Sequence, residues 1–471
     1  MGRIKRFIQT ALTYLAGNIF SKLVTFFLIP LYTNKLNTAE YGDYDVISAI
    51  VTLLVSIAFF QIWDGMFRMS FDADDTEDKY SVISLCFKTY CIGIAVFSAL
   101  FFIVSQVLSF SMVCLPYIFG IVYGLQFMYS FSTRIFLNNR LFVVSGAANT
   151  LTVAITNIVL ILVFHMGVES LFIAHIAGAL IQCLLIELRL HLIPKIIKYR
   201  FCFTRLKQIL KFSIPLCVAT VSYWLLSGFT KLSINRICGA DDNGLFAIAS
   251  SLSNMAVIAV NVFQFSWNET AYLMAHEDNR MTIYKKSLDL LFCTVWICCA
   301  AFCSVVNIIF PYYVGEAFQN SSVVVPYLMI GVSANAIAGF LGTLFMTEQK
   351  TGYIMISTLI ASAVNIGLCG LATRHFGMIG SVIVLSASFA LLMILRLVQI
   401  KKQIGIGISW TSLFSIIPVV VSVLLYKYSN DIGINALYLA LLAVGYIILF
   451  QKITGISLKS IVQSRMKGRD I

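Results

Sequence analysis

The chain has 471 residues, of which 59% are hydrophobic and only 11% charged, and its mean hydropathy is +0.90. Soluble domains run at about 25% charged, so this composition excludes an ordinary cytosolic enzyme, a disordered protein and a secreted disulfide scaffold. It points to a multi-spanning membrane protein. The net charge of +12 needs no nucleic acid to explain it, because cytoplasmic loops of membrane proteins collect Lys and Arg.

The basic N-terminus, Met1 to Thr10, runs into an apolar stretch with no small-residue cleavage site after it. It reads as a retained helix and not as a removed signal peptide. Apolar runs then predict fourteen transmembrane helices, at about 11–33, 44–67, 82–107, 112–136, 141–165, 170–193, 212–237, 245–270, 287–311, 323–347, 353–374, 378–400, 411–428 and 434–452. The runs are too long and too continuously apolar for barrel strands. With charges near a span end counted with the adjoining loop, only Lys35, Arg236, Arg374 and Lys427 of the 33 Lys and Arg count on the side opposite the N-terminus, and only Lys22 and Lys231 count as inside spans. Both termini therefore read as cytoplasmic. The richest basic loop, Arg189 to Lys211, lies midway and reads as a linker between halves. No loop is long enough to carry a catalytic domain.

Several spans carry polar stripes, which a helix facing only lipid does not need. The first has Asn18, Lys22 and Thr25 on one face. The second has Asp45, Ser48 and Thr52, then Asp64 and Arg68 a turn apart. The fourth has Gln126, Ser130 and Arg134, and the fifth Asn149, Thr152 and Thr156. The seventh carries Thr220, Trp224, Ser227 and Lys231. The eighth has Ser250, Asn254, Asn261 and Asn268, with Glu269 beside them. The eleventh has Thr358, Ser362 and Asn365. Helix packing explains Ser, Thr and Asn equally well, since these residues hydrogen-bond across membrane helix interfaces. Lys22 and Lys231 are harder to explain by packing. A Lys at the bilayer centre costs about 2.5–3.5 kcal/mol, so it faces a wet cavity or a partner. Lys231 is near enough to a span end to snorkel. Arg68 and Arg134 also read as charges at cytoplasmic span ends. The candidate cavity set is Asn18, Lys22, Arg68, Arg134, Lys231, Asn254 and Asn261. Cations and amides in this combination suit an anionic, hydroxyl-rich ligand.

The halves resemble each other. Arg140, His165 and Gly167 recur as Lys350, His375 and Gly377, and Gly42, Tyr44 and Ser48 recur as Gly244, Phe246 and Ser250. With six spans per half the repeat is parallel, and transporters place their substrate between such halves. The expected organisation is a six-helix lobe over 1–200, a second over 201–405, and two further helices with a cytoplasmic tail over 406–471. Of the five His only His175 lies well inside a span, with no acid at helical spacing. The twelve Cys lie mostly in apolar runs, without CxxC or metal spacing. No catalytic residue, cofactor or metal is expected.

The first span with its Glu40-Tyr41-Gly42 turn, Arg68 before the acidic stretch Asp72 to Asp78, the segment from Gly244 to Ala249, and Asn365 with Gly377 and Gly380 resemble the polysaccharide-unit flippases. These are the lipid-linked-oligosaccharide branch of the MATE-like MOP superfamily. Many members carry an Asp-Arg pair late in the seventh helix. Here Thr230-Lys231 stands in that place, so the positive charge is kept and the acid lost. The resemblance implies a plasma-membrane flippase of undecaprenyl-diphosphate-linked oligosaccharide working by alternating access. It also implies a polymerase and glycosyltransferases as pathway partners. Two rivals share the architecture: a peptidoglycan-precursor flippase and a cation-coupled multidrug exporter. A membrane enzyme would need an acid or base positioned at its chemistry, and none stands out.

Overall fold

The computed structural model describes residues 20, 23–71, 75–256, 280–348, 350, 352–429 and 431–454. Among these residues every regular element is helical, as the hydropathy pattern requires. Eleven helical stretches are long and apolar enough to cross a membrane. The longest of them holds two of the fourteen expected spans, and the first and eighth expected spans run into residues outside those described. The chain forms two compact units, Met1–Ala247 and Ile248–Ile471.

The first unit begins with α1 (residues 23–35) and α2 (Thr38–Ala58). Asn37 caps α2 by accepting a hydrogen bond from the Ala39 amide at 2.9 Å, and Glu40 lies in its positive first turn. The sequence predicts one helix through residue 67, but the structure breaks it. Phe60 and Gln61 are left-handed, with φ of 50° and 52°, and α3 (Ile62–Phe71) starts anew. Left-handed residues with a Cβ cost about 1–2 kcal/mol each. Contacts with other helices offset this: the Gln61 amide donates to the Thr220 hydroxyl at 3.0 Å, and Trp63 stacks on Phe127 with centroids 4.8 Å apart. Then follow α4 (Thr76–Leu108), α5 (Cys114–Ile135), α6 (Asn139–Leu162), α7 (Glu169–Leu190), α8 (Leu192–Lys198), α9 (Phe203–Ile237) and α10 (Ala240–Met255), which continues into the second unit. The unit thus includes α9, a helix that the internal repeat assigns to the second half.

The basic linker is docked on the N-terminal end of α4. Lys198 pairs with Glu77 at 3.0 Å. Arg205 donates two hydrogen bonds to the Asp78 carboxylate, both 2.6 Å. Ser84 donates to the Ile196 carbonyl at 2.7 Å. The acidic stretch after Arg68 therefore holds the linker, at least through Glu77 and Asp78.

The second unit is built on α11 (Arg280–Tyr313), which is largely buried. A 3-10 turn (Glu316–Val324) leads into α12 (Val325–Thr347). The 53-residue run α13 (Gly352–Ile404) is a hairpin folded at Gly377, whose φ of 61° and ψ of −150° suit only glycine. Pairs equidistant from Gly377 meet across it. Thr373 and Ser381 hydroxyls are 2.6 Å apart, and Arg396 reaches Thr358. The short α14 (Trp410–Leu413), α15 (Ile416–Tyr428) and α16 (Ile432–Thr454) complete the unit. The Asp289 carboxylate in α11 accepts bonds from the Ser409 amide at 2.9 Å and the Ser412 hydroxyl at 2.8 Å, which fixes the entry to α14. Thr294 and Tyr446 hydroxyls meet at 3.1 Å, so α16 packs on α11. Its other face leaves Leu437, Leu441, Val444 and Ile448 more than half exposed, as a lipid-facing helix requires.

Arg396 lies near the end of the twelfth expected span. The structure buries it, at 7% exposure, among the helices of this unit. Its guanidinium donates to the Ala338 carbonyl at 2.5 Å, the Ser357 hydroxyl at 3.2 Å and the Thr358 hydroxyl at 3.1 Å. Arg396→Ala is expected to cost about 2–4 kcal/mol, because it strips three buried acceptors of a charged donor. Arg396→Lys should recover less than half, since an ammonium cannot reproduce the planar fork. Thermal unfolding in detergent measures both, and a Lys variant as stable as the parent would show that the fork is dispensable.

Candidate functional site

The polar stripe of the seventh expected span does not face open space in this structure. It lies along α2, antiparallel to it. The Gln61 amide meets Thr220, the Trp224 indole donates to the Ala49 carbonyl at 2.9 Å, and the Lys231 ammonium donates to Asp45 at 2.6 Å. Asn235 donates to Asp43 at 3.1 Å. Lys231 and Asp45 are 24% and 19% exposed, which is too enclosed for their attraction to be screened as at a surface. The acid that balances Lys231 thus comes from α2, not from the preceding residue, where Thr230 is buried and bonded to its own helix. Asp45 was visible in the sequence as part of a stripe, but no spacing rule pairs residues so far apart in the chain.

Beyond this pair the start of α10 joins the zipper. Asn243 donates to the Gly42 carbonyl at 2.8 Å, and the Thr38 hydroxyl donates to Asp241. A Cβ at Gly42 would collide with the Ala240 carbonyl, and one at Gly244 with the Thr38 carbonyl. Two glycines therefore let the two helix starts touch, which gives the repeat match of Gly42 and Gly244 a physical meaning. Arg236 donates to the Leu108 carbonyl at 2.5 Å. A cavity of about 220 Å³ lies beside the zipper, lined by Asp43, Ile47, Ser109, Ser111, Asn235 and Arg236.

A second cluster lies at the other end of α3 and α5. The Arg134 guanidinium stands over the rings of Phe67 and Phe131, 4.6 and 5.2 Å from their centroids. Phe131 continues through Phe127 to Tyr123 and Trp63 as a line of rings in contact. These rings other than Trp63 are half-buried, Asp64 is half-buried, and Arg68 is exposed on the same short helix. A cation held on aromatic faces keeps its charge available at low dielectric, and such faces stack on sugar rings as well. Arg68 and Arg134 thus lie in the last turns of α3 and α5.

The stripe of the fourth expected span is taken up by packing, and so is Asn157, which the sequence reading does not single out. Gln126 donates to Gln182 at 2.6 Å, and Gln182 donates to Ser130 at 2.8 Å. Asn157 donates to the Tyr32 hydroxyl at 3.0 Å. Asn254 is exposed and bonds back to the Ser250 carbonyl at 2.8 Å. Asn18, Lys22 and Asn261 lie outside the described residues. Among the described residues no cluster of three His, Cys, Asp or Glu could hold a metal.

A family profile described as "Polysaccharide biosynthesis protein" matches residues 7–266. No curated protein matches the chain by sequence. Among solved structures, the lipid II flippase MurJ in an inward closed conformation superposes with a TM-score of 0.73 at 13% identity, covering 93% of this chain and 98% of that one. A MATE protein in the straight conformation gives 0.55 at 11% identity, over 84% and 95%. The bent form of the Vibrio cholerae MATE transporter VcmN gives 0.55 at 14% identity, over 90% and 98%. At such identities the likeness is one of fold.

Proposed function

The chain belongs to the polysaccharide biosynthesis protein family, and from that membership we propose that it flips a lipid-linked oligosaccharide repeat unit across the bacterial plasma membrane. It is a multi-pass membrane protein with the fold of flippases and transporters. In this reading both termini are cytoplasmic and the substrate is an undecaprenyl-diphosphate-linked sugar unit, delivered outward for polymer synthesis. The observation that carries it is the α3–α5 face. Its Arg134 and Arg68 supply cations for a diphosphate, and Phe67, Phe131 and Phe127 supply rings for sugars.

Alternating access then requires α9 to part from α2, so the end of the zipper at Asp43, Asp45, Lys231 and Asn235 acts as the closed gate at one membrane face. Outward movement of a dianion follows an inside-negative potential, worth about 2.3 kcal/mol per charge per 100 mV. A second reading, peptidoglycan-precursor flipping, fits the same fold, which superposes better on MurJ than on the MATE transporters.

The deciding experiment compares cells with and without the gene. Diphosphate-linked oligosaccharides are extracted, and a membrane-impermeant reagent reports which face they occupy. We expect repeat units trapped on the cytoplasmic face, with surface polymer lost and cell wall intact. Trapped peptidoglycan precursor would transfer the assignment to the second reading. No trapped lipid of either kind, in cells without a redundant flippase, would refute both.

A further inference from the structure

The second unit holds a cavity of about 330 Å³ that neither the proposed transport path nor the internal repeat accounts for. It is enclosed by the C-terminal end of α11, the 3-10 turn, the start of α12 and the last turns of α15. Its walls mix Phe310, Pro311 and Val423 with polar groups.

Those polar groups are oriented by their neighbours. Asn307 donates one amide hydrogen to the Ser429 carbonyl at 2.9 Å. Gln319 gives its own to the Val314 carbonyl at 2.6 Å. With an N–H group of each engaged, both side chains have their amide oxygens left as acceptors. The Tyr426 hydroxyl is buried and has no hydrogen-bond partner among the described residues. That hydroxyl has no surface open to the cavity as the chain stands, so Tyr426 bonds to an occupant by turning its ring, which relieves a cost of about 1–3 kcal/mol for a buried hydroxyl without a partner. Lys427, the next residue, lines the same cavity and is exposed. The site therefore offers one cation, one hydroxyl donor and two fixed acceptors beside an apolar wall.

The surroundings say where the occupant comes from. Tyr312 and Tyr428, at the ends of α11 and α15, are 84% and 75% exposed. Tyr and Lys at helix ends mark the level where lipid meets water. Immediately below, Val420 and Leu424 of α15 are more than half exposed to the surroundings. A head group seated at Lys427 has its acyl chains beside that apolar face.

We propose that this cavity binds the phosphate head group of a membrane lipid that carries free hydroxyls, such as a glycerol- or sugar-phosphate lipid. Lys427 and Tyr426 hold the phosphate, and the head-group hydroxyls donate to Asn307 and Gln319. The site is separate from the α3–α5 face, so it stands or falls independently of the substrate assignment.

The test uses the full chain in detergent, with native mass spectrometry counting retained lipids after mixing with phosphatidylglycerol or phosphatidylcholine. Phosphatidylglycerol is expected to be retained at least fivefold better. Lys427→Ala and Tyr426→Phe should each reduce that preference at least threefold; the phenylalanine keeps the ring and hence the packing. Equal retention of the two lipids, or variants that keep the parent's preference, would overturn the proposal. Displacement of the lipid by millimolar free glycerol phosphate would overturn the assignment to a lipid. Failure of glycerol phosphate to displace it would support that assignment.

Discussion

Neutralising either member of the Asp45–Lys231 pair is expected to slow transport at least tenfold, and exchanging the two charges to restore part of the loss. Each single change leaves a poorly solvated charge facing α2 or α9, where such a loss costs about 1.5–3 kcal/mol. Tenfold in an equilibrium corresponds to about 1.4 kcal/mol, so one broken pair is enough to move a two-state protein out of the closed gate. Asp45→Asn and Lys231→Met should therefore open the α2–α9 contact. A disulfide between cysteines placed at 43 and 235, where Asp43 and Asn235 meet at 3.1 Å, reports this directly. Cross-linking should fall in both single variants and recover in Asp45→Lys/Lys231→Asp. If the double exchange transports and cross-links no better than either single change, the pair acts through something other than mutual attraction. If cross-linking persists while transport is lost, the pair belongs to the transport chemistry and not to the gate.

Arg134→Ala is expected to reduce transport of the lipid-linked unit at least tenfold while leaving thermal stability nearly unchanged. Arg134 is half-exposed; it lies on two ring faces, worth about 0.5–2 kcal/mol together, and close enough to the half-buried Asp64 to attract its carboxylate. Its contact with a diphosphate would be a charge-assisted one, about 1.5–3 kcal/mol. Arg134→Lys should sit between, because an ammonium keeps the charge but not the guanidinium plane that lies on Phe67 and Phe131. Transport into proteoliposomes with substrate titration separates the effects: loss of phosphate contact raises the half-saturating concentration before it lowers the maximal rate. An alanine variant that transports like the parent would remove the α3–α5 face from the path. Repeating the assay with an imposed potential tests the driving force. A rate that ignores the potential but follows a sodium or proton gradient would discard electrophoretic export.

The helical membrane class and the turn at Gly377 were legible in the sequence because they depend on local properties. Continuous hydropathy over about 20 residues fixes a span, and only glycine takes a φ of 61° with a ψ of −150°. The same local view failed at Phe60–Gln61. Nothing there breaks a helix by propensity, and the break is held by Gln61 reaching Thr220 on a distant helix. It failed at Arg396 for the same kind of reason: a charge near a predicted span end reads as exposed, but the α13 hairpin folds it onto Thr358.

For the site, residue types in the sequence determined the chemistry on offer, namely amides, cations and aromatic faces within spans. Which of those groups remain available was decided by the tertiary structure. A polar stripe says that a helix face needs partners, and it says so equally for water, substrate or another helix. Lys231 found Asp45 and Gln126 found Gln182, whereas Arg134 found ring faces that leave its charge in reach of a ligand. The first two outcomes depend on pairings 186 and 56 residues apart. Helical periodicity reaches no further than a few turns, so the pairing of distant helices, and with it the site, exists only in the folded chain.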